Sequence, residues 1–221
     1  MDTGAFRRGV RDMTPLLIGI APFGAVAGIA AINAGLSLLQ ALGMSVIVFA
    51  GAAQLAALEL INQGAPMSVV VVTAVVINLR MLMYSASIAP HFQSYGARVK
   101  AGLAYLLTDQ AYAISVASYR SDRSVDRKWY YLGAAAFMWF VWQLATVGGV
   151  VLGASIPESW GVSFAVPLVF LALLVPELSD RPRTVAALVG GGVAVVGAGW
   201  PLNLGLLGGA LAGVAAGVVV D

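Results

Sequence analysis

A single charged residue stands inside a long apolar stretch of this chain. Between Pro66 and Pro90 the sequence reads PMSVVVVTAVVINLRMLMYSASIAP, in which Arg80 carries the only charge. About 20 apolar residues in a helix are long enough to cross a lipid bilayer. A guanidinium keeps its charge there, and placing it at mid-membrane costs at least ~2.5–3.5 kcal/mol. Arg80 is therefore expected either to be paired or to act on something.

The rest of the sequence is also poor in charge. Charged residues make up 10% of the chain and hydrophobic residues 60%, whereas soluble domains carry about 25% charged residues. In lipid only helices or a closed barrel satisfy the backbone, and these apolar runs are too long and uniform for the alternating pattern of a barrel. We predict an all-α, polytopic transmembrane helical bundle that forms one domain over residues 1–221, with broken helices near the midplane.

The apolar runs divide into eight candidate spanning segments, of which the last two are short and rich in glycine. Pro201 and Asn203 mark a turn between these two, so they form either a tight hairpin or one broken segment. The prediction is therefore seven or eight segments. They cover residues 14–34, 40–62, 66–90, 101–119, 129–155, 161–177, 184–199 and 203–220.

The distribution of Lys and Arg predicts the orientation of the chain. With a cytoplasmic N-terminus, the inner segments hold nine of the 12 basic residues and the outer loops hold only Arg98 and Lys100. Cytoplasmic loops of membrane proteins show this enrichment. The charges therefore indicate orientation in a cell (inner or plasma) membrane rather than a nucleic-acid partner. No internal repeat is evident in the sequence.

Glu59, Arg80 and Asp109 are the charged residues well inside the predicted segments. On this map Arg80 lies roughly 21 Å from the inner face and Asp109 roughly 12 Å from the outer face, which are similar depths in a ~30 Å hydrocarbon core. Consecutive segments are usually neighbours. We predict that the two side chains interact, either as a static ion pair or as part of a site. Glu59 is expected to be solvated near the inner end.

Helix-breaking and small residues fall near the same depth. Pro22 and Gly24 interrupt the first segment, and the motif FAGAAQ places Gly51 and Gln54 in the second. Secondary transporters bind substrates at broken helices, whose free amides face carboxylates and whose free carbonyls face ammonium groups. The other interpretation is a proline kink and a packing seam of small residues. Four further residues at this depth favour a polar site: Asn78, Arg80, Thr108 and Asp109.

Several kinds of chemistry are absent from the sequence. The chain has no cysteine and a single histidine, His91, and it contains neither a GxxxxGK[ST] phosphate loop nor an HExxH motif. No serine has a histidine base within the membrane region, so a hydrolase triad is not expected. We therefore predict no enzyme activity, no metal and no cofactor.

Four motifs carry a resemblance to a known family. The chain contains PLLIGIAPFGAVAGIAA, MSVIVFAGAAQLAALELINQGAP, VVINLRMLMYSASIAP and LLTDQAYAIS in this order. They resemble the AzlC family of branched-chain amino-acid permeases, and the resemblance covers nearly the whole chain. It implies export of aliphatic amino acids such as valine, isoleucine, leucine or methionine, with a small membrane subunit of the AzlD type. The residues that match family-motif positions are Pro22, Phe23, Gly24, Gly51, Gln54, Asn78, Arg80 and Asp109.

Two positions depart from the family pattern. Met81 stands where family members often have histidine, and Gln110 stands where they often have an acidic residue after the motif aspartate. Asp109 is therefore the lone acid near Arg80 for any handling of protons.

The resulting prediction is a secondary transporter in the lipid bilayer whose substrate is a zwitterion with an apolar side chain. The predicted substrate-binding set is the eight motif residues together with Thr108. Arg80 or a broken-helix N-terminus would face the substrate carboxylate, and Asp109, Gln54 or freed carbonyls would face its ammonium group. Proton coupling through Asp109 is a further hypothesis. The alternative is a non-transporting membrane scaffold, or a subunit whose partner holds the site, and it requires these polar groups to be packed away rather than to line a cavity.

Overall fold

The computed structural model describes residues 2–153, 171, 174–175, 178–200 and 204–220, and these residues form helices and short turns without a β-strand. The predicted all-α bundle with broken helices is confirmed. The predicted segment 161–177 lies almost entirely outside the described residues. The helices are α1 (Thr3–Met13), α2 (Leu17–Asn33), α3 (Leu38–Val48), α4 (Gly51–Asn62), α5 (Met67–Asn78), α6 (Arg80–Ile88), α7 (Ala97–Tyr105), α8 (Asp109–Ser121), α9 (Arg127–Gly153), α10 (Arg181–Val196) and α11 (Leu204–Val220).

Some of these helices join into longer stretches that are able to cross a membrane. A 3₁₀ turn, Thr14–Leu16, connects α1 to α2, and a second one, Ala89–Phe92, follows α6. Within the described residues, four stretches are long and apolar enough to span a bilayer. They are Thr3–Asn33, Met67–Phe92, Arg127–Gly153 and Arg181–Gly199.

The stretch formed by α1 and α2 packs along α9 in a parallel direction. Gly9 lies against Tyr130 near the start of both helices, whereas Gly153 lies against Ile29 near their ends. Small residues at these contacts let the two backbones approach closely. Because α9 has 27 residues, it is about 40 Å long, and depths in the bundle are given below by position along this helix. We name the end that carries Arg127 the basic end, and the opposite end the neutral end.

The segment from α3 to α4 is a hairpin that enters from the neutral end and returns to it. Four residues connect α2 to α3. Helix α3 then runs to the level of the middle of α9, where Ser45 Oγ accepts a hydrogen bond from Trp142 Nε1 at 3.0 Å. Helix α4 begins at the level of Phe23 and Trp142. Its last turns then border a small space beside the C-terminal end of α2, with the lining residues Ala30, Asn33, Ala34, Leu55, Leu58, Glu59 and Asn62.

The stretch Met67–Phe92 runs from the neutral end to the basic end. A short turn joins α4 to α5, and Val70 packs with Ala57 and Leu60 of α4, so the two helices are antiparallel. At its far end the stretch meets the start of α9, because His91 Nδ1 lies 3.0 Å from an Arg127 guanidinium nitrogen.

The segment from α7 to α8 is a second hairpin, which enters from the basic end. Tyr131 donates a hydrogen bond to the Leu103 carbonyl at 2.9 Å, and Tyr105 accepts one from Trp139 Nε1 at 2.8 Å, so α7 climbs along the first half of α9. Helix α8 then returns, since Tyr119 donates to the Arg127 carbonyl at 2.7 Å. The tips of the two hairpins therefore meet near the middle of the bundle.

The two hairpins enter from opposite ends and have equal lengths, which is the arrangement expected of an inverted repeat. The first occupies residues 38–62 and the second 97–121, so both hold 25 residues and they begin 59 residues apart. Each lies between two spanning stretches, and the stretch Met67–Phe92 is shared by both units. The two hairpins share this total length although their helices differ, with 11 and 12 residues in α3 and α4 and 9 and 13 residues in α7 and α8.

The hairpins correct the predicted path of the chain. Residues 40–62 and 101–119 do not cross the bundle, so Met67–Phe92 runs in the opposite direction to the one predicted. Arg98 and Lys100 consequently lie at the basic end, and Glu59 lies at the neutral end, where it accepts a hydrogen bond from Gln63 at 2.7 Å. All nine Lys and Arg residues of residues 2–153 other than Arg80 now share one end.

The last two predicted segments form a tight antiparallel hairpin, which decides between the two alternatives left open by the sequence. Gly197 packs on Gly205, and Gly190 packs on Gly209 and Gly213, with glycine backbones in direct contact. Close approach of this kind is common where small residues repeat in membrane helices.

Candidate functional site

Three helices begin at one central cavity of about 310 Å³. Helix α4 begins at Gly51, α6 at Arg80 and α8 at Asp109, and all three residues line it. The structure thus brings five of the predicted residues together at this cavity: Phe23, Gly51, Arg80, Thr108 and Asp109. A volume of this size is at the lower limit for small-molecule sites.

The start of α4 depends on an unusual backbone conformation at Phe49. This residue has φ 38° and ψ 48°, in the left-handed region that few non-glycine residues adopt. It ends α3 and turns the chain so that α4 can begin at Gly51. Among the described residues no side chain caps α4, and its first turn holds no acidic residue. The positive end of this helix, with its free amides, therefore faces the cavity.

The start of α8 is closed by its own side chains. Thr108 accepts a hydrogen bond from the Ala111 amide at 3.2 Å, and its hydroxyl lies 3.2 Å from Met138 Sδ. Asp109 is the first residue of the helix, where a negative charge is favourable. The two hairpin tips therefore differ: α4 presents an open positive end, whereas α8 presents a carboxylate.

Arg80 and Asp109 form an ion pair in the cavity wall. Arg80 Nη1 lies 3.1 Å from Asp109 Oδ2, which confirms the predicted pairing. Each side chain is about one-third exposed, at 34% and 33%, so the pair is open to a ligand in the cavity. Arg80 Nε is buried and makes no hydrogen bond with the described residues. The pair thus places opposite charges side by side in a cavity whose other walls are mostly apolar.

The apolar walls are built from aromatic and aliphatic side chains that pack tightly. The Phe23 and Trp142 rings meet edge to face with their centroids 5.4 Å apart. A Cβ on Gly51 would lie 2.6 Å from Phe23 and 2.7 Å from Trp142, so glycine is required for this packing. Trp142 donates its indole hydrogen to Ser45 and presents only its ring to the cavity. These walls suit an aliphatic group.

The remaining predicted residues lie elsewhere. Pro22 is exposed and does not line the cavity. Helix α2 continues through it, so the predicted break at Pro22 is wrong. Gly24 packs against Ala145 and Trp142, and Gln54 is buried in α4 with 2% exposure. Asn78 borders an adjoining space. Substrate binding by any of the nine residues stays a prediction.

Sequence reasoning missed several residues that line the cavity. They are Ile20, Phe49, Ala50, Ala52, Met81, Tyr84, Gln110, Met138 and Trp142. Trp142 and the nearby Met138 lie on a long uninterrupted helix, where apolar residues are expected to pack rather than to line a site. Phe49 carried a usable signal, because it directly precedes the small residues of FAGAAQ at a point where the hairpin must turn.

Comparisons with known proteins give relatives in bacteria and archaea. The family model described as "AzlC protein" matches residues 15–156. An uncharacterized membrane protein of Archaeoglobus fulgidus is 31% identical over 94% of this chain and 92% of its own length. The inner membrane protein YgaZ of Escherichia coli is 25% identical over 85% of this chain and 80% of its own. The branched-chain amino acid transport protein AzlC of Bacillus subtilis is 23% identical over 86% and 75%, respectively. No solved structure matches.

Proposed function

The chain belongs to the AzlC family of membrane proteins, and from this premise we propose that it is a secondary transporter that exports branched-chain or other aliphatic amino acids. The substrate class comes from the Bacillus subtilis relative, which is named as a branched-chain amino acid transport protein. The valine, isoleucine, leucine and methionine class combines a zwitterionic head with an apolar side chain. The central cavity offers a matching partner for each of these parts.

The observation that carries the proposal is the meeting of the two hairpin tips at Arg80 and Asp109. A positive helix end without a cap, a guanidinium and a carboxylate all border one cavity of about 310 Å³. Hairpins and broken helices related by an inverted repeat are the usual substrate site of secondary transporters. A scaffold without a site would be expected to pack these polar groups away, whereas here they line the cavity.

The site suggests an orientation for the substrate. Its carboxylate would lie at the start of α4, near the amides of Gly51 and Ala52 and within reach of Arg80. Its ammonium group would lie against Asp109. The aliphatic side chain would then contact Phe23, Trp142 and other apolar walls of the cavity.

The direction of transport, the partner and the membrane are parts of the same proposal. Nine basic residues at one end support a cytoplasmic location for that end and for the N-terminus. Export from the cytoplasm across the inner or plasma membrane then means passage from the basic end to the neutral end. A small membrane subunit of the AzlD type is required for activity in this proposal, and protons that exchange at Asp109 are a candidate for coupling.

The test is valine counterflow in liposomes that contain the purified chain with its small partner. Internal unlabelled valine is expected to accelerate entry of labelled valine well above the rate in empty liposomes. Excess leucine or methionine should compete, whereas lysine should not, because its cationic side chain does not suit the apolar wall. Absence of counterflow with the partner present and the protein folded would refute the function. If valine flux does not change with an imposed pH gradient, proton coupling is refuted, but the transport function is not.

A further inference from the structure

A second space adjoins the central cavity at the tip of the first hairpin. We name it the groove; its volume is about 370 Å³, and it lies between the tip of α3 and helices α6 and α7. Asn78, Ser85 and Tyr105 give it polar positions. The cavity and the groove share three wall residues, which are Phe49, Ala50 and Met81. These three described residues therefore form a common wall between the two spaces.

The groove leads toward the basic end. It shares Ser85, Ala104 and Leu107 with a third space of about 270 Å³, whose wall includes Gln93 and Lys100 near the start of α7. The three spaces therefore form a row from the Arg80–Asp109 pair to the end that carries the basic residues. The partition at Phe49 and Met81 interrupts this row directly beside the site.

Phe49 is held in the partition by its neighbours. Its ring lies 6.1 Å from the Tyr105 ring, measured between centroids, and its side chain is buried. Tyr105 also donates a hydrogen bond to the Val46 carbonyl at 2.7 Å, which joins the tip of the second hairpin to the last turn of α3. A left-handed non-glycine backbone persists only where surrounding contacts hold it, and such positions cluster at switch regions and ligand clamps.

We propose that Phe49 is the gate between the central cavity and the groove, and that its ring limits which substrate side chains pass toward or from the basic end. The proposal rests on the proposed function for the identity of the substrate, but the gate itself is defined by accessibility alone. Movement of this one ring would join two spaces that already share a wall. The side chain of Met81 completes the partition from α6.

Accessibility of single cysteines tests the gate, because the natural chain has no cysteine and gives no background. Ala52→Cys reports on the cavity and Ser85→Cys on the groove. A charged, membrane-impermeant thiol reagent is added from the basic end. If the open state is a minor one of at most ~10%, Phe49→Ala should raise the labelling rate at position 52 at least about tenfold. The rate at position 85 should stay unchanged.

Phe140→Ala is the matched control, because Phe140 lies on α9 with 54% exposure and does not line the cavity or the groove. It should leave labelling at both positions unchanged. If Phe49→Ala does not fold, Phe49→Leu and Tyr105→Phe replace it. The first substitutes a smaller aliphatic side chain for the ring, and the second removes the hydroxyl that donates to the Val46 carbonyl. Either variant should raise the labelling rate at position 52 and leave the rate at position 85 unchanged.

Unchanged labelling at position 52 in a folded Phe49 variant would overturn the gate, and so would an equal rise at both positions, since that reports general loosening. A second readout is the ratio of phenylalanine to valine flux, which should rise in Phe49→Ala. Failure of the wild-type protein to move valine would refute the proposed function but would leave the labelling result intact. The two failures are therefore distinguishable.

Discussion

Replacement of Asp109 by Asn is expected to reduce valine flux at least about 30-fold, which corresponds to ~2 kcal/mol for one lost charge contact in a partly desolvated site. Asparagine keeps the shape of the side chain but removes its charge. The substrate ammonium then loses its partner. Arg80 also loses its counter-ion, because its Nη1 lies 3.1 Å from Asp109 Oδ2 in the wild-type protein. Arg80→Lys should also reduce flux, since lysine keeps the charge but not the planar fork of donors. The measurement is valine counterflow at matched amounts of folded protein.

The double variant Arg80→Gln with Asp109→Asn separates the two interpretations of the pair. A static ion pair between helices would be replaced by two neutral groups, so flux should then recover toward the wild-type value. A pair that contacts substrate should stay inactive in the double variant, which is the result we expect. Arg8→Gln with Asp122→Asn is the matched control, because that 2.7 Å pair lies at the basic end outside the cavity. It should leave flux close to wild type.

Replacement of Gly149 by Ala is expected to lower the thermal midpoint of the detergent-purified protein by about 10 °C, because its free energy of unfolding falls by ~3 kcal/mol. The new Cβ would overlap the backbone carbonyl of Ala25, so α2 and α9 would have to separate. The same helices position Phe23 and Trp142 in the cavity wall. The site is therefore expected to fail together with the fold.

Gly148→Ala is the control for this prediction. Gly148 is the adjacent position of the same helix, and a Cβ there meets none of the described residues within 4 Å. Its midpoint should equal the wild-type value or exceed it slightly, since alanine favours helix over glycine. Ala25→Gly should not rescue Gly149→Ala, because the obstacle is backbone rather than the Ala25 side chain. Rescue by that change would contradict backbone-to-backbone packing of α2 and α9.

The pairing of Arg80 with Asp109 was predictable from the sequence, but by a route that the structure corrects. A charge in lipid needs a partner, and Asp109 is an acid in the next apolar segment. The two residues have similar depths on the predicted path only if four consecutive segments cross the membrane. In the structure α6 and α8 instead begin at the same level, because α8 is the returning arm of a hairpin.

The hairpins themselves could not be read from hydropathy. An apolar run of 23 residues such as 40–62 has the same composition whether it crosses the membrane or turns back in the middle. The turn depends on the left-handed backbone of Phe49 and on the contact of Gly51 with Phe23 and Trp142, which are tertiary features. Trp142 and Met138 line the cavity because of the same packing. Their place in the wall was therefore not predictable from the sequence.

The positions of the basic residues already argued against a crossing by every predicted segment. The eight-segment map left Arg98 and Lys100 outside, against the bias of the other basic residues. A hairpin at 97–121 removes this exception, because its start then shares the basic end with the N-terminus. The two exceptions to the positive-inside rule were therefore a sign that the number of crossings before them was too large by one.

The entry of the two hairpins from opposite ends is the basis of the cavity, the repeat and the gate, and labelling of single cysteines in intact cells tests it directly. Ser68→Cys and Ser94→Cys place the reporters at exposed positions near the two ends of the stretch Met67–Phe92, and Thr3→Cys marks the N-terminal side. A membrane-impermeant reagent outside the cell should label position 68 and should not label positions 94 and 3. Labelling of position 94 alone, with positions 68 and 3 both unlabelled, would show that residues 40–62 cross the membrane, and it would contradict the first hairpin. Labelling of positions 94 and 3 together without position 68 would keep the hairpins and reverse the orientation.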